Sequence, residues 1–368
     1  MRRSPHANGY ALAGVKRTAI LGAGGFIGNR IVETLATGGQ GDEVVPIVRR
    51  PSALALAGRF RLDGRVADAF DRGELETAFD GCTDLICAIA GDLRTIVETV
   101  APVYAAAERA GIRRIVYLSS AMVHGQSPAP GTDETFALSL RQSLAYNRAK
   151  IQAEKLLQSL CRRGRTEAVI LRPAIVYGPR SQWTGGLAGQ LLDGTAFLAD
   201  GGSGVCNAIY VDNLVHAIRL AIQAENVNGE AFLLNDRETL SWRDFTAPIA
   251  DALGIPVDDI PRPTSSAILG ASNSIGDRLV RPAGRALLRR LPRRFAEAQR
   301  AARNAFRGSE KQAELPEFAR ELALLQRCMV RLPSAKAQRM LGYDPPVSFE
   351  EACRRSIAWL KFAGYPTR

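Results

Sequence analysis

At 368 residues with 46% apolar side chains, the chain is long enough to bury a sizeable core and to form two lobes. No apolar run approaches the ~18 residues of a membrane-spanning helix, and no apolar stretch of signal-peptide length follows Arg2-Arg3, so a cytoplasmic protein is expected. The net charge of +11 comes without a recognised nucleic-acid module, six scattered cysteines lack metal or redox spacing, and His6, His124 and His216 are too dispersed for a metal site.

Residues 1–14 read as a mobile tail. Val15 to Leu21 is a short apolar run with β-branched residues, the pattern of a buried strand. It runs into Gly22, Gly25 and Gly28 and then into Ile31-Val-Glu-Thr-Leu35, which has helical spacing. Strand, glycine turn and helix form the context in which a glycine pattern cradles a pyrophosphate: the backbone turns tightly, and the first amides of the helix bind the anion. A second strand over Glu43 to Val48 ends in Arg49-Arg50. An acidic residue there would hold the 2′-hydroxyl of NAD, whereas an arginine accommodates a 2′-phosphate, so NADP(H) is favoured with NAD(H) as the alternative. Pro46 lacks the N–H that an interior strand needs, which blurs the bounds of this element.

Further strands are expected near 84–89, 112–118 and 167–173. Ser119-Ser120 closes the fourth strand, and Pro128, Pro130 and Gly131 mark a loop after it. Tyr146 follows 26 residues after Ser120, with Lys150 four residues later. Positions i and i+4 share a helix face, so the ammonium can lie near the phenol and favour its phenolate. Such a tyrosine can act as general acid or base near neutral pH. The spacing alone is weak, because eight tyrosines and six lysines supply it by chance in about one chain of eight. Its order after the glycine loop and the serine pair makes it informative.

Alternating strands and helices from 15 to about 180 predict an α/β fold, a doubly wound parallel Rossmann sheet. Stretches 207–222 and 231–235 are expected to return to that sheet and complete the cofactor domain at about 205–235. Segments 181–204 and 236–368 would then build a smaller, mostly helical substrate lobe, with a basic helical insertion at about 262–330.

From these residues the chain resembles the extended short-chain dehydrogenase/reductases, the family of sugar-nucleotide epimerases and dehydratases and of 3β-hydroxysteroid dehydrogenases. The likeness runs from about 15 to 362. Its markers here are LGAGGFIG (21–28), ADAFDRGELETAFDGCTDLICAIAG (67–91), YLSSAMVHG (117–125), YNRAKIQAEKLL (146–157), LRPAIVYGP (171–179), NAIYVDNLVHAI (207–218) and LGYDPPVSFEEACRRSIAWL (341–360). The resemblance implies that Ser120 hydrogen-bonds the substrate oxygen, that Tyr146 exchanges the proton, and that Lys150 binds the nicotinamide ribose and tunes Tyr146. It also implies a cofactor set of Gly22, Gly25, Phe26, Ile27, Gly28, Arg49, Asp68, Ala69, Ala88, Ala90, Lys150 and Pro173. Asp68 would contact adenine, or simply cap a turn. Pro173 would sit by the nicotinamide, or simply end a strand. Ser119 is the neighbour that competes with Ser120.

Departures from the family pattern narrow the chemistry. Ala121-Met122 stand where sugar dehydratases carry an acidic pair, which disfavours dehydration. His124 replaces the usual tyrosine of the serine loop. Cys206-Asn207-Ala208 lacks the arginine that grips a nucleotide diphosphate, and Asn207 to Asn213 looks closer to the hydroxysteroid branch. The expected function is hydride transfer at a secondary alcohol or ketone, of a nucleotide sugar first (epimerase or 4-ketoreductase). A hydroxysteroid or terpenoid substrate is the alternative, and a non-catalytic NAD(P) sensor the third reading. Family likeness also implies a homodimer.

Residues 275–310 hold ten arginines against three acids, +7 of the chain's +11. This stretch reads as a solvated helical insertion whose arginine stems cover the lobe, or as a surface for anionic membranes or an acidic ligand.

Overall fold

The computed structural model describes residues 16–38, 43–270 and 315–368. The expected N-terminal tail and the arginine-rich 275–310 stretch lie outside the described residues.

Seven strands form one parallel sheet: β1 (Arg17–Leu21), β2 (Glu43–Val48), β3 (Arg65–Val66), β4 (Asp84–Cys87), β5 (Arg114–Leu118), β6 (Glu167–Pro173) and, late in the chain, β10 (Ala231–Leu234). Their spatial order is β10-β6-β5-β4-β1-β2-β3, with every neighbouring pair parallel. The chain leaves β1 to one side for β2 and β3, then returns to the other side for β4 onward. This makes a doubly wound sheet whose order reverses between β1 and β4, the place where such sheets bind ligands.

Burial on both faces explains why the central strands are mainly apolar. Ala19 and Leu21 pack on one face with Val45, Ile47, Leu85 and Ile115, under α2 (Arg72–Phe79), α4 (Val100–Arg109) and α5 (Ala145–Cys161). Ile20 packs on the other face with Val44, Ile86, Val116 and Val169, under α1 (Phe26–Thr37) and α7 (Val211–Gln223). A strand buried on both faces has no polar side to show. Between α2 and α4, α3 (Leu93–Glu98) is capped by the Asp92 carboxylate.

Pro46 belongs to β2, paired with Ile20 of β1. The Ile47 carbonyl accepts from Gly22 on the β1 side and the Val48 carbonyl accepts from Ala67 on the β3 side. Pro46 therefore faces the β3 side, and β3 begins only opposite Ile47. The missing N–H falls where the ladder has no partner.

After β6 the chain builds a second apolar core. Its elements are β7 (Ile175–Tyr177), α6 (Leu187–Asp193), β8 (Val205–Cys206), β9 (Ala208–Tyr210), β11 (Leu240–Ser241), α8 (Trp242–Ala252), α9 (Ser265–Gly270), α10 (Leu315–Gln326) and α12 (Phe349–Phe362). Tyr177, Tyr210, Trp242, Phe245, Leu325 and Leu360 lie in that core. By contrast, α11 (Ala335–Leu341) returns to the sheet, where Ala337 and Leu341 join the α7 face. Asp212 of α7 ties the two regions, at 2.5 Å from Arg30 of α1 and 3.0 Å from Arg355 of α12.

Candidate active site

The glycine loop sits at the reversal between β1 and β4. Gly22 has φ +91, and a Cβ there would lie 2.7 Å from the Ala88 carbonyl oxygen. At Gly28 a Cβ would lie 2.1 Å from the Gly22 oxygen, so helix and loop touch through backbone alone. The N-cap of α1 is Gly25, which offers no side-chain acceptor. The first amides of α1, those of Phe26 and Ile27, thus have no capping side chain, and an uncapped helix start carries partial positive charge. These features fit a dinucleotide.

The other expected cofactor residues line the same edge of the sheet. Ala88 follows β4 and donates to the Leu21 carbonyl at 2.9 Å, with the exposed Ala90 just beyond. Arg49 is exposed directly after β2 and has no hydrogen bond or ion pair among the described residues. Asp68 and Ala69 are half-buried after β3. The Asp68 carboxylate accepts from the Phe70 amide at 3.1 Å, so it closes a turn ahead of α2. Pro173 is buried at the end of β6, beside Leu234.

Ser119 and Ser120 differ in their surroundings. The Ser120 hydroxyl accepts from the Met122 amide at 3.2 Å and caps the short turn Ala121–His124. An accepting hydroxyl still has its own proton to donate. Ser119 Oγ is buried with no partner among the described residues. Tyr146 lies in the first turn of α5 and is 38% exposed. One turn on, Lys150 is buried; its ammonium donates to the Leu118 carbonyl at 3.0 Å and lies 5.4 Å from the Tyr117 ring centre. Burial pushes its pKa down to about 8, against opposing pulls from Cys87 and Glu154.

Two networks joining the serine loop to α5 were not anticipated. Asn147, fully buried beside Tyr146, exchanges amide hydrogen bonds with Gln126 at 3.0 and 3.2 Å and donates to Gln142 Oε1 at 2.6 Å. Gln142 in turn donates to the Val123 carbonyl at 2.6 Å. Deeper, Glu154 of α5 pairs with Arg172 of β6 at 2.7 Å, with both side chains at most 4% exposed. Arg172 Nη1 lies 3.2 Å from His124 Nε2. A guanidinium only donates, so Nε2 is the acceptor and the imidazole proton sits on Nδ1. Burial, then the Arg172 charge, lowers the His124 pKa to about 4 and keeps the ring neutral. Glu154 stands four residues after Lys150, a spacing that marks it as sharing the lysine's face. Nothing local marks Arg172 or His124 as its companions.

A small recess lies beside this loop, lined by Met122, Gly125, Gln126, Pro128, Ile175, Val205, Asn207, Trp242, Leu325, Cys328 and Leu332. None of these is charged. Asn207 spends its amide on the Val330 carbonyl at 2.9 Å and the Leu332 amide at 2.8 Å, and Gln126 spends its own on Asn147. The recess wall therefore presents mainly apolar surface.

Residues 18–234 match the NAD dependent epimerase/dehydratase family. The chain belongs to this family. It is accordingly of the NAD-dependent oxidoreductase and epimerase class. Among its relatives, the 3beta-hydroxysteroid-dehydrogenase/decarboxylase isoform 3 of Arabidopsis thaliana is 26% identical over 277 residues, 68% of this chain. The match spans about half of that relative, 49%. The N-acetyl-alpha-D-glucosaminyl-diphospho-ditrans,octacis-undecaprenol 4-epimerase of Escherichia coli O157:H7 is 23% identical over 265 residues, 68% of this chain and 76% of the relative. In fold the chain is similar to PA4631, a nucleoside-diphosphate-sugar epimerase from Pseudomonas aeruginosa, with TM-score 0.68, 23% identity, and 95% and 99% of the two chains covered. Among the described residues, no helix is long and apolar enough to cross a membrane.

Proposed function

We propose that the protein moves hydride at a secondary alcohol or ketone, with Tyr146 exchanging the proton, Lys150 tuning it and Ser120 holding the reacting oxygen. One observation carries this reading: the Lys150 ammonium is anchored on the Leu118 carbonyl, two residues before Ser120, one turn along α5 from Tyr146. A nicotinamide dinucleotide, when bound, supplies or accepts the hydride. The chain does the rest. The Ser120 hydroxyl, fixed by the Met122 amide, donates to the substrate oxygen as charge grows there. The Tyr146 phenol, on a residue 38% exposed, gives or takes the proton on that oxygen. A buried cation one helical turn away favours the phenolate and lowers the cost of that transfer.

The cofactor domain on this reading is 15–180 completed by about 205–235, and 181–204 with 236–368 forms the substrate lobe. NADP(H) is the favoured dinucleotide, because Arg49 and Arg50 are exposed at the end of β2 without an acidic neighbour in the strand end. Nucleotide-sugar epimerisation or ketoreduction is the first substrate reading. The apolar recess favours the second, a hydroxysteroid- or terpenoid-type alcohol, since it offers no charge to a diphosphate.

Tyr146→Phe tests the chemistry. Turnover of the best substrate from a panel of nucleotide sugars and sterols should fall by about 10²-fold or more, with dinucleotide affinity unchanged. Full turnover in the variant would refute the role given to Tyr146, whereas dinucleotide binding by the parent chain with no turnover of any panel member would leave the cofactor-sensing reading.

A further inference from the structure

Arg180 follows β7 in the turn Gly178-Pro179-Arg180-Ser181, with a backbone φ of 72. That is the left-handed region, which a non-glycine residue holds only when its surroundings demand it. The turn is pinned by the Ser181 amide on the Gly178 carbonyl at 3.1 Å and by the Ser181 hydroxyl accepting from the Thr184 amide. From there the Arg180 side chain crosses to α1, where Nη1 donates to Asn29 Oδ1.

Asn29 is 1% exposed, and its backbone N–H donates to the Gly25 carbonyl at 2.9 Å, one turn into the helix that follows the glycine loop. A guanidinium has no acceptor, so Oδ1 must face it and the identity of Nδ2 follows. That Nδ2 is buried with no partner among the described residues. Two donors thus lie side by side with only one acceptor between them. Arg180 has no carboxylate partner among the described residues. The acids paired with α1 are engaged with other arginines: Glu33 with Arg30 and Arg59, and Asp212 with Arg30 and Arg355. An unneutralised cation close to the positive end of a helix is unfavourable by itself. So are a left-handed arginine and an orphan buried amide. A single anion relieves the electrostatic and hydrogen-bonding costs together.

We infer that Arg180 and Asn29, with the open amides at the start of α1, form an anion site that takes the diphosphate of the dinucleotide. The inference rests on reading the glycine loop as the dinucleotide site. It adds a cation supplied from the turn after β7, separate in sequence from Arg49 at the end of β2. Arg49 would read the 2′-phosphate alone, whereas Arg180 grips the part that NAD and NADP share. A nucleotide-sugar substrate carries the same chemistry, so UDP-glucose serves as the comparison ligand.

The test is titration calorimetry on the full chain with NADH, NADPH and UDP-glucose, alongside thermal melting without ligand. Arg180→Gly removes the guanidinium yet suits the left-handed backbone, so the fold is kept. It should weaken NADH and NADPH by the same factor, about 10- to 100-fold, with no fall in melting temperature. Asn29→Asp gives Arg180 a carboxylate, so melting temperature should rise while both dinucleotides bind more weakly. A merely structural contact would move melting temperature and leave affinity alone. Unchanged affinity for both dinucleotides in Arg180→Gly overturns the inference, as does weakening of UDP-glucose alone, which would assign the site to substrate. If the parent chain binds neither dinucleotide, the glycine-loop reading itself fails.

Discussion

The ammonium of Lys150 rests on the backbone carbonyl of Leu118 at 3.0 Å, so a buried cation on α5 is tied to the strand that ends in Ser119-Ser120. The bond joins the helix bearing Tyr146 to the loop bearing Ser120. It does so without a carboxylate, because Glu154, the nearest acid along the helix face, is committed to Arg172. The lysine charge is therefore kept at a cost.

That cost has a sign. Burial takes the Lys150 pKa from 10.5 to about 8, so the folded chain sheds this proton more readily than the unfolded one. The destabilisation is complete below about pH 8 and fades as pH rises toward 10.5. Lys150→Met should therefore raise unfolding stability at pH 7 by on the order of 1 to 2 kcal/mol, net of the lost bond to Leu118. The gain should shrink by pH 10, and turnover should be lost. Urea unfolding at the two pH values checks this; a less stable variant at pH 7 would show that the charge is no burden.

His124 gives the opposite pH window. Its folded pKa of about 4 lies below the ordinary 6.5, so the folded chain resists taking that proton. Stability carried by the neutral ring is full above 6.5 and is lost as pH falls toward 4. The groups that set this are Arg172, whose charge adds to burial, and Asp133, which opposes it. His124→Gln keeps an acceptor for Arg172 but cannot titrate. Between pH 6.5 and 4.5 the parent should lose roughly 1 to 2 kcal/mol more than the variant; parallel pH profiles would count against it.

The Glu154–Arg172 pair should behave as a buried ion pair. Arg172→Met strands the Glu154 carboxylate at 1% exposure, so a loss of about 3 to 5 kcal/mol is expected. Replacing both, with Glu154→Leu added, should recover much of that loss. A double-mutant cycle in urea measures the difference, and additive losses would mean the two side chains are independent.

Arg49 bears on cofactor choice. Arg49→Ala should weaken NADPH about tenfold or more while leaving NADH nearly unchanged, since only NADPH carries a 2′-phosphate. Equal weakening of the two, read by fluorescence titration, would refute the preference.

Gly28→Ala should be severe. Its new methyl group would meet the Gly22 oxygen at 2.1 Å, and backbone on both sides cannot step aside. A loss of about 1 to 3 kcal/mol, together with loss of dinucleotide binding, is expected. Thermal melting with and without NADH would show both effects.

Much of this protein was written locally. Leu21 to Gly28 announces a strand, a tight turn and a helix because strand period, glycine turn and helix period each need only a few neighbouring residues. Tyr146 and Lys150 share a helix face for the same reason, and the strands at Glu43–Val48 and Glu167–Pro173 begin and end where their apolar runs do. Even Pro46 obeys a local rule, although only the arrangement of β3 shows that its missing N–H falls on the open side.

The rest depended on which distant residues the packing brought together. Glu154 meets Arg172 across 18 positions, Asn147 meets Gln126 across 21, and Arg180 meets Asn29 across 151. No periodicity encodes such pairs, because each partner is an ordinary polar residue until burial removes its water and forces a choice of neighbour. The recess is the same case. Met122, Trp242 and Leu332 come from three separate stretches, and only tertiary structure decides that they face one another with no charge between them. Sequence alone thus determined the glycine turn between strand and helix and the shared helix face of Tyr146 and Lys150, whose signals are short-range. Tertiary packing decided what holds that face in place and what kind of surface a substrate would meet.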